Sequence, residues 1–246
     1  MKDQYVGDIG DYGKFALLRA LIANNYSLGV NWYLTPDDPK RENDGKHTGY
    51  LRQKFDFLDA GLFLKLKAIL YPAGEFCREN RKVSALEGDG ILPKTIFFNE
   101  SLSHKKIDDR SSWVDRSFKK LEAFGQRDII FLDPDNGFQI KSRKPTEEGG
   151  NKYVTYREAR QYYEKANVAL IIYNHRDHLD KDKYKNRFKF CRLKKKQNAS
   201  VYRLTFHKGT MRDYIFIVKP KYSKEIDKFL YGFMRHTPDK YFSVGF

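Results

Sequence analysis

Apolar residues fall along this chain in two rhythms. Between residues 12 and 24 they recur at helical spacing, with Phe15, Leu18 and Ile22 on one face and Leu17 and Leu21 beside it. Asp11 stands where a helix N-cap would. The same spacing predicts helices over Leu58–Leu70, Trp113–Phe124, Tyr153–Ala166 and Ser223–Met234. Between them lie short, nearly continuous apolar runs at Leu28–Leu34, Thr95–Phe98, Asp128–Leu132 and Val168–Tyr173. Runs of this kind belong to strands buried on both faces, as in a parallel sheet covered by helices. Ser200–Phe206 alternates instead, and with Asp213–Lys219 across His207-Lys208-Gly209-Thr210 it predicts an antiparallel hairpin. The expected architecture is one α/β domain over residues 1–246, with a mostly parallel, Rossmann-like sheet, helices on both faces and a C-terminal hairpin at one edge.

The buried runs end in polar residues. Leu34 leads into Thr35-Pro36-Asp37-Asp38, Phe98 into Asn99-Glu100-Ser101, Leu132 into Asp133-Pro134-Asp135-Asn136-Gly137, and Tyr173 into Asn174-His175-Arg176-Asp177. Open α/β sheets bind ligands at the carboxyl ends of their strands, so these residues are the candidates for chemistry. The sharpest signal is Asp133-Pro134, where a buried strand delivers a carboxylate into a turn whose backbone direction the proline fixes. Asn43-Asp44-Gly45-Lys46-His47 reads as a loop over the same pocket.

Composition narrows the partners. The 246 residues include 47 Lys and Arg against 32 Asp and Glu, a formal charge of +15, and 40% are apolar. That apolar content excludes wholesale disorder. A surface this basic favours a polyanion such as nucleic acid. Residues 181–196 hold nine Lys and Arg against the single Asp182, interleaved with Tyr184, Phe188 and Phe190. They mark a basic insertion around 177–199 suited to neutralising phosphates and stacking bases, with Lys189, Arg192, Lys194, Lys195 and Lys196 as its contacts. Two cysteines outside any ligand spacing argue against a disulfide framework or structural zinc. No apolar stretch is long enough to span a membrane, and a cytoplasmic setting is the expectation.

The order of elements resembles that of the class I S-adenosylmethionine-dependent methyltransferases, and is closest in layout to the ribosomal-RNA adenine-N6 methyltransferases. The polar start and helix of that group are similar to Gly10-Asp11-Tyr12-Gly13-Lys14-Phe15, and its Asp-Pro-Pro-Tyr motif to Asp133-Pro134-Asp135-Asn136. Its Met-containing turn, apolar strand and Pro are similar to Met211…Ile215-Phe216-Ile217-Val218-Lys219-Pro220. The resemblance implies S-adenosylmethionine held by Asp11, Lys14, Tyr33, Thr35, Asp37, Glu100 and His175. It also implies an adenine-type amino group oriented by Asp133 and Pro134, with Asp135 and Asn136 completing the motif. Two features depart from the family. Thr35-Pro36-Asp37-Asp38-Pro39 replaces its glycine-rich loop, and Asp135 and Asn136 replace the second proline and the ring, leaving Phe138 or Tyr173 to stack on the base.

Two other functions fit the same residues. Asp8, Asp11, Asp37, Asp38, Asp44, Asp133 and Asp135, with His47 and His175, supply ligands for Mg²⁺ or Mn²⁺ in a nuclease or phosphoesterase. Loss of the glycine loop favours a non-catalytic nucleic-acid-binding module, which in turn has little use for an acidic rim. Neutralising Lys194, Lys195 and Lys196 is expected to weaken nucleic-acid binding and flatten its salt dependence, by roughly 0.7–0.9 in the log–log slope for each phosphate no longer neutralised. Titrations across a salt series check this, and an unchanged slope contradicts it.

Overall fold

Burial on both faces dictates where the strands lie. The computed structural model describes residues 1–37, 45–53, 58–88, 90–102, 107–121, 128–176, 184, 198–237 and 241–245. Its strands are β1 (Ser27–Asn31), β2 (Ile96–Phe98), β3 (Asp128–Leu132), β4 (Gly137–Phe138), β5 (Tyr153–Val154), β6 (Ala169–His175), β7 (Ser200–Phe206), β8 (Arg212–Val218) and β9 (Phe242–Gly245). The helices are α1 (Ile9–Ala23), α2 (Ala60–Leu70), α3 (Ile107–Lys120), α4 (Tyr156–Lys165) and α5 (Ser223–Arg235). Seven strands form one sheet in the order β2-β1-β3-β6-β8-β7-β9. The first four are parallel to one another, and β8 and β9 run against their neighbours. The fold is therefore α/β, with a parallel half and a C-terminal antiparallel half.

Successive side chains of each strand feed two separate cores. Ile129, Phe131, Ala169, Ile171 and Phe216 pack with residues of α1, α2 and α5 on one face. Ile130, Leu132, Leu170, Ile172 and Ile217 pack with α3 and α4 on the other. Most of these residues are completely buried, each contributing about 1.5–3 kcal/mol of transfer free energy before chain entropy is counted. Among the described residues no helix is long and apolar enough to cross a membrane.

Where the elements differ from expectation, local side-chain caps and strand pairing explain most of it. Helix α1 begins at Ile9, capped by Asp8, whose carboxylate accepts the Asp11 backbone N–H at 2.9 Å; Asp11 itself lies in the first turn. Strand β1 stops at Asn31, and Trp32–Leu34 leave the sheet, because the Asn31 side chain accepts the Tyr33 N–H at 2.9 Å and Tyr33 turns to φ 45°. Helix α3 starts six residues before Trp113, on a polar stretch that shows no apolar stripe. Helix α4 starts at Tyr156 behind a Thr155/Glu158 capping box, because Tyr153 and Val154 pair with Gly137 and Phe138 in a second, two-stranded sheet. The C-terminal hairpin is not an edge, since β9 adds beside β7.

The turn after β3 is clasped to the end of β6. Gly137 adopts φ 97°, and a Cβ there would stand 2.1 Å from Oδ1 of Asn174, which accepts the Phe138 N–H at 2.9 Å. Gly137→Ala should cost about 2–4 kcal/mol, from backbone strain together with a weakened buried hydrogen bond. Urea denaturation of the two proteins checks this, and a change under about 1 kcal/mol contradicts it.

Candidate active site

A cleft of about 370 Å³ opens at the carboxyl ends of β3 and β6, over the amino-terminal turn of α1. Its walls come from distant parts of the chain. Asp8, Asp11 and Lys14 come from α1 and its cap, Asp133–Asn136 from the turn after β3, and Tyr173 and His175 from the end of β6. Arg212 opens β8 directly opposite His175 in the antiparallel register.

Charge inside the cleft is organised in pairs. The Lys14 ammonium is 2.8 Å from Oδ1 of Asp11 and 2.7 Å from Oδ2 of Asp133, and the residue is 3% exposed. The rings of Phe15, Trp32 and Tyr173 surround it with centroids 5.3–5.9 Å away. Arg212 reaches Asp8 at 3.2 Å and also donates to the Tyr173 hydroxyl and to the carbonyls of Lys208 and Thr210. Gly10 makes that approach possible, since a Cβ there would lie 2.3 Å from the guanidinium carbon. The Met1 nitrogen donates to the carbonyls of Trp32 at 2.9 Å and Asp133 at 2.7 Å, and lies 2.9 Å from Oδ1 of Asp135.

Few carboxylate oxygens remain unengaged. Asp8 accepts from Asp11 N and Arg212, and Asp11 from Lys14 and the Gly7 N–H. Asp135 faces the Met1 nitrogen and accepts from the Thr35 hydroxyl at 3.1 Å. Asp133 has one oxygen on Lys14, and among the described residues Oδ1 has no partner. The Asn136 amide, also on the cleft wall, likewise has none. Among the described residues no three His, Cys, Asp or Glu side chains gather as a metal site.

Burial sets the proton affinities. It pushes the Asp11 carboxyl up to about 6, because Lys14 divides one charge between two carboxylates and Asp8 adds repulsion. Burial opposes the Lys14 charge too, yet Asp11 and Asp133 outweigh it and hold the ammonium above its ordinary range. Asp135 moves the other way. Burial would raise it, but the Met1 ammonium, Lys2 and Thr35 together hold it below the usual carboxylate value.

Of the residues expected at the site, Asp11, Lys14, Asp133, Pro134, Asp135, Asn136 and His175 share the cleft. Thr35 lies just behind it, on Asp135. Tyr33 does not line it: its left-handed backbone turns the ring into the core under α3 and α4, against Trp113. Asp37 lies in a neighbouring cavity, and Glu100, at the surface, pairs with Arg116 at 2.7 Å. Of the two candidate stacking rings, Tyr173 lines the cleft, while Phe138 is buried beside Tyr156. Asp38, Asp44, Lys189, Arg192, Lys194, Lys195 and Lys196 lie outside the described residues. Tyr184, within the basic segment, is described, and its hydroxyl joins Asn174 and the buried Asp213 beside the cleft.

Arg212, Thr210, Tyr5 and the Met1 nitrogen also reach the cleft and were not legible as site residues. Arg212 carried one signal, its place at the start of a strand opposite His175, which only the register reveals. In sequence comparisons the chain matches no protein-family model and no curated protein.

The Asp11 carboxyl titrates at about 6 here against 3.8 ordinarily, so the folded chain holds that proton more tightly than the unfolded one. The stability this contributes is complete below about pH 3.8 and lost as the pH rises through about 6. Asp11→Asn should remove this component from a stability profile measured by denaturation between about pH 3.5 and 7. Lys14→Met should move the Asp11 carboxyl midpoint, read by carbon-13 NMR, still higher, and should cost about 3–5 kcal/mol by leaving two buried carboxylates without their cation. A midpoint that fell would contradict the arrangement.

Proposed function

We propose that this protein is a methyltransferase-like enzyme that acts in the cleft on an adenine-type amino group of a nucleic acid or nucleotide, with S-adenosylmethionine as methyl donor. The observation that carries the reading is the unengaged Oδ1 of Asp133 at the carboxyl end of a central parallel strand, beside the Asn136 amide that has no partner among the described residues. A carboxylate acceptor next to an amide with both donor and acceptor suits an exocyclic amine and the adjacent ring nitrogen of adenine. The parallel strands followed by an antiparallel C-terminal part support the reading, as does Lys14 holding Asp133 at the cleft.

The donor set suits the cofactor. S-adenosylmethionine carries a sulfonium, an ammonium and a carboxylate. The cleft offers His175 and the Thr210 hydroxyl to negative charge, and the ring of Tyr173 to a flat or cationic group. When bound, the cofactor supplies an electrophilic methyl group. The chain's own work is positioning. Asp133 accepts the substrate N–H and aims the nitrogen lone pair, the Pro134 turn holds that carboxylate in place, and Lys14 and Thr35 fix Asp133 and Asp135 from behind. Alignment of this kind accounts for several kcal/mol of barrier. The metal-dependent hydrolase is the weaker reading, because Asp8, Asp11 and Asp135 already spend their oxygens on cations, N–H groups and the Thr35 hydroxyl.

Calorimetric titration with S-adenosylmethionine and, separately, Mn²⁺ tests this, together with transfer of a labelled methyl group to adenine-containing oligonucleotides. The expected results are micromolar cofactor binding, weakened at least tenfold in His175→Ala. In Asp133→Asn binding is retained while transfer falls by about 10²–10³-fold, the size of effect seen when one preorganised polar contact is removed. Mn²⁺ binding lost in Asp133→Asn without any cofactor signal would establish the hydrolase instead. Nucleic-acid binding with neither small ligand would establish the non-catalytic module.

A further inference from the structure

A second cavity, of about 260 Å³, lies on the other side of residues 45–48. This segment divides the two spaces residue by residue. Gly45 and His47 line the cleft, whereas Lys46 and Thr48 line the second cavity with Gln4, Asp37, Phe76, Arg78 and Arg81. Among the described residues three cations therefore meet a single carboxylate, and that carboxylate is already turned to the backbone, accepting the Gln4 N–H at 3.1 Å.

Arg81 is the unusual member. It is 9% exposed, and its Nε and Nη2 donate to the carbonyls of Val6 and Gly45 at 2.9 and 2.8 Å. Those bonds use two of five guanidinium donors, and among the described residues no carboxylate forms an ion pair with it. Burial lowers its proton affinity, Asp8, Asp11 and Asp37 offset only part of that, and Arg78 adds to it, so the cation is undercompensated. Arg78 and Lys46 are exposed and have no side-chain partner among the described residues. Phe76, 40% exposed, stands at the same wall. Guanidinium groups with open donors, a point-charge ammonium and a solvent-facing aromatic ring are the elements that hold a phosphate and stack a base.

We propose that this cavity is a phosphate subsite for a nucleotide unit, with Arg81, Arg78 and Lys46 taking the phosphate and Phe76 the face of a base. The proposal deepens the reading of the cleft as a nucleobase-modifying site, and rests on it for the identity of the ligand. The capture of phosphate rests on the cavity alone.

The full chain is titrated with inorganic phosphate, adenosine monophosphate and a short adenine-containing oligonucleotide. All three are expected to bind. Lys46→Gln with Arg78→Gln should weaken each at least tenfold without moving the melting temperature. Phe76→Ala should weaken the nucleotide and oligonucleotide about 5- to 100-fold and leave inorganic phosphate unchanged. The proposal is overturned if none binds, if the double variant binds as well as the parent, or if inorganic phosphate binds and the nucleotide does not. Its failure is separable from that of the methyltransferase reading. Phosphate and nucleotide binding that depends on these residues, without methyl transfer to any oligonucleotide, upholds the subsite and removes the cleft chemistry. Cofactor binding in the cleft with nucleotide binding indifferent to the double variant does the reverse.

Discussion

One buried ammonium holds the candidate site together. Lys14 stands on the first turns of α1, walled by three aromatic rings, and bonds at once to Asp11 of its own helix and Asp133 beyond β3. In so dry a place a lone charge would cost several kcal/mol, and so would either carboxylate without it. The arrangement is stable only when helix and strand end are brought to hydrogen-bond distance. That requirement fixes the amino-terminal helix over the carboxyl edge of the sheet. It also leaves one Asp133 oxygen on the ammonium and the other at the cleft wall. The acidity of the site follows from the same geometry: one cation shared by two carboxylates does not offset burial for both, and Asp11 keeps its proton to about 6.

The turn that carries Asp133 is held as firmly on its other side. Asn174, at the end of the neighbouring strand, accepts the Phe138 N–H and donates to the Tyr184 hydroxyl, so the Asp-Pro-Asp-Asn-Gly loop and a residue of the basic segment share one side chain. Thr35 and the Met1 nitrogen bind Asp135 from the end of β1. The loop is thus pinned from both adjacent strands. Its fixed backbone is what the proposed chemistry needs, because an amine aimed at an electrophile tolerates little play.

Burial was legible in the sequence, and side-chain direction was not. The strands at 128–132 and 200–206 fall where the apolar runs place them, because a strand covered on both faces can use little else. Boundaries set by local side-chain bonds escaped, because apolar spacing does not register them: Asn31 turns back on Tyr33, and the Thr155/Glu158 capping box starts a helix after a two-residue strand. The site divides the same way. Strand ends bring Asp133–Asn136 and His175 to one cleft, since topology alone gathers those ends along one edge. The same rule does not bring Tyr33 and Glu100 to that cleft. A strand end specifies where the backbone is, whereas a left-handed residue and a surface arginine decided where those two side chains went. Arg212 was hidden because its role depends on register across β6 and β8.

Under the proposed function, a chain of charge +15 that gathers acids at the mouth of its sheet faces an electrostatic conflict, since a phosphate-bearing substrate would be attracted by the whole and repelled at the site. The two cavities resolve it by division. Among the described residues of the cleft, every carboxylate oxygen except Oδ1 of Asp133 is matched to a cation, an N–H or a hydroxyl, so an uncharged base would meet little net field there. Beyond the 45–48 segment the balance reverses, with three cations against one occupied carboxylate among the described residues, and a phosphate would gain there what it would lose in the cleft. A nucleotide lying across that divider would have its charge drawn to one side and its amine to the other. On this account the acidic rim, which counts against a simple nucleic-acid binder, helps to orient the substrate, because a phosphate is rejected from the space in which the base must sit.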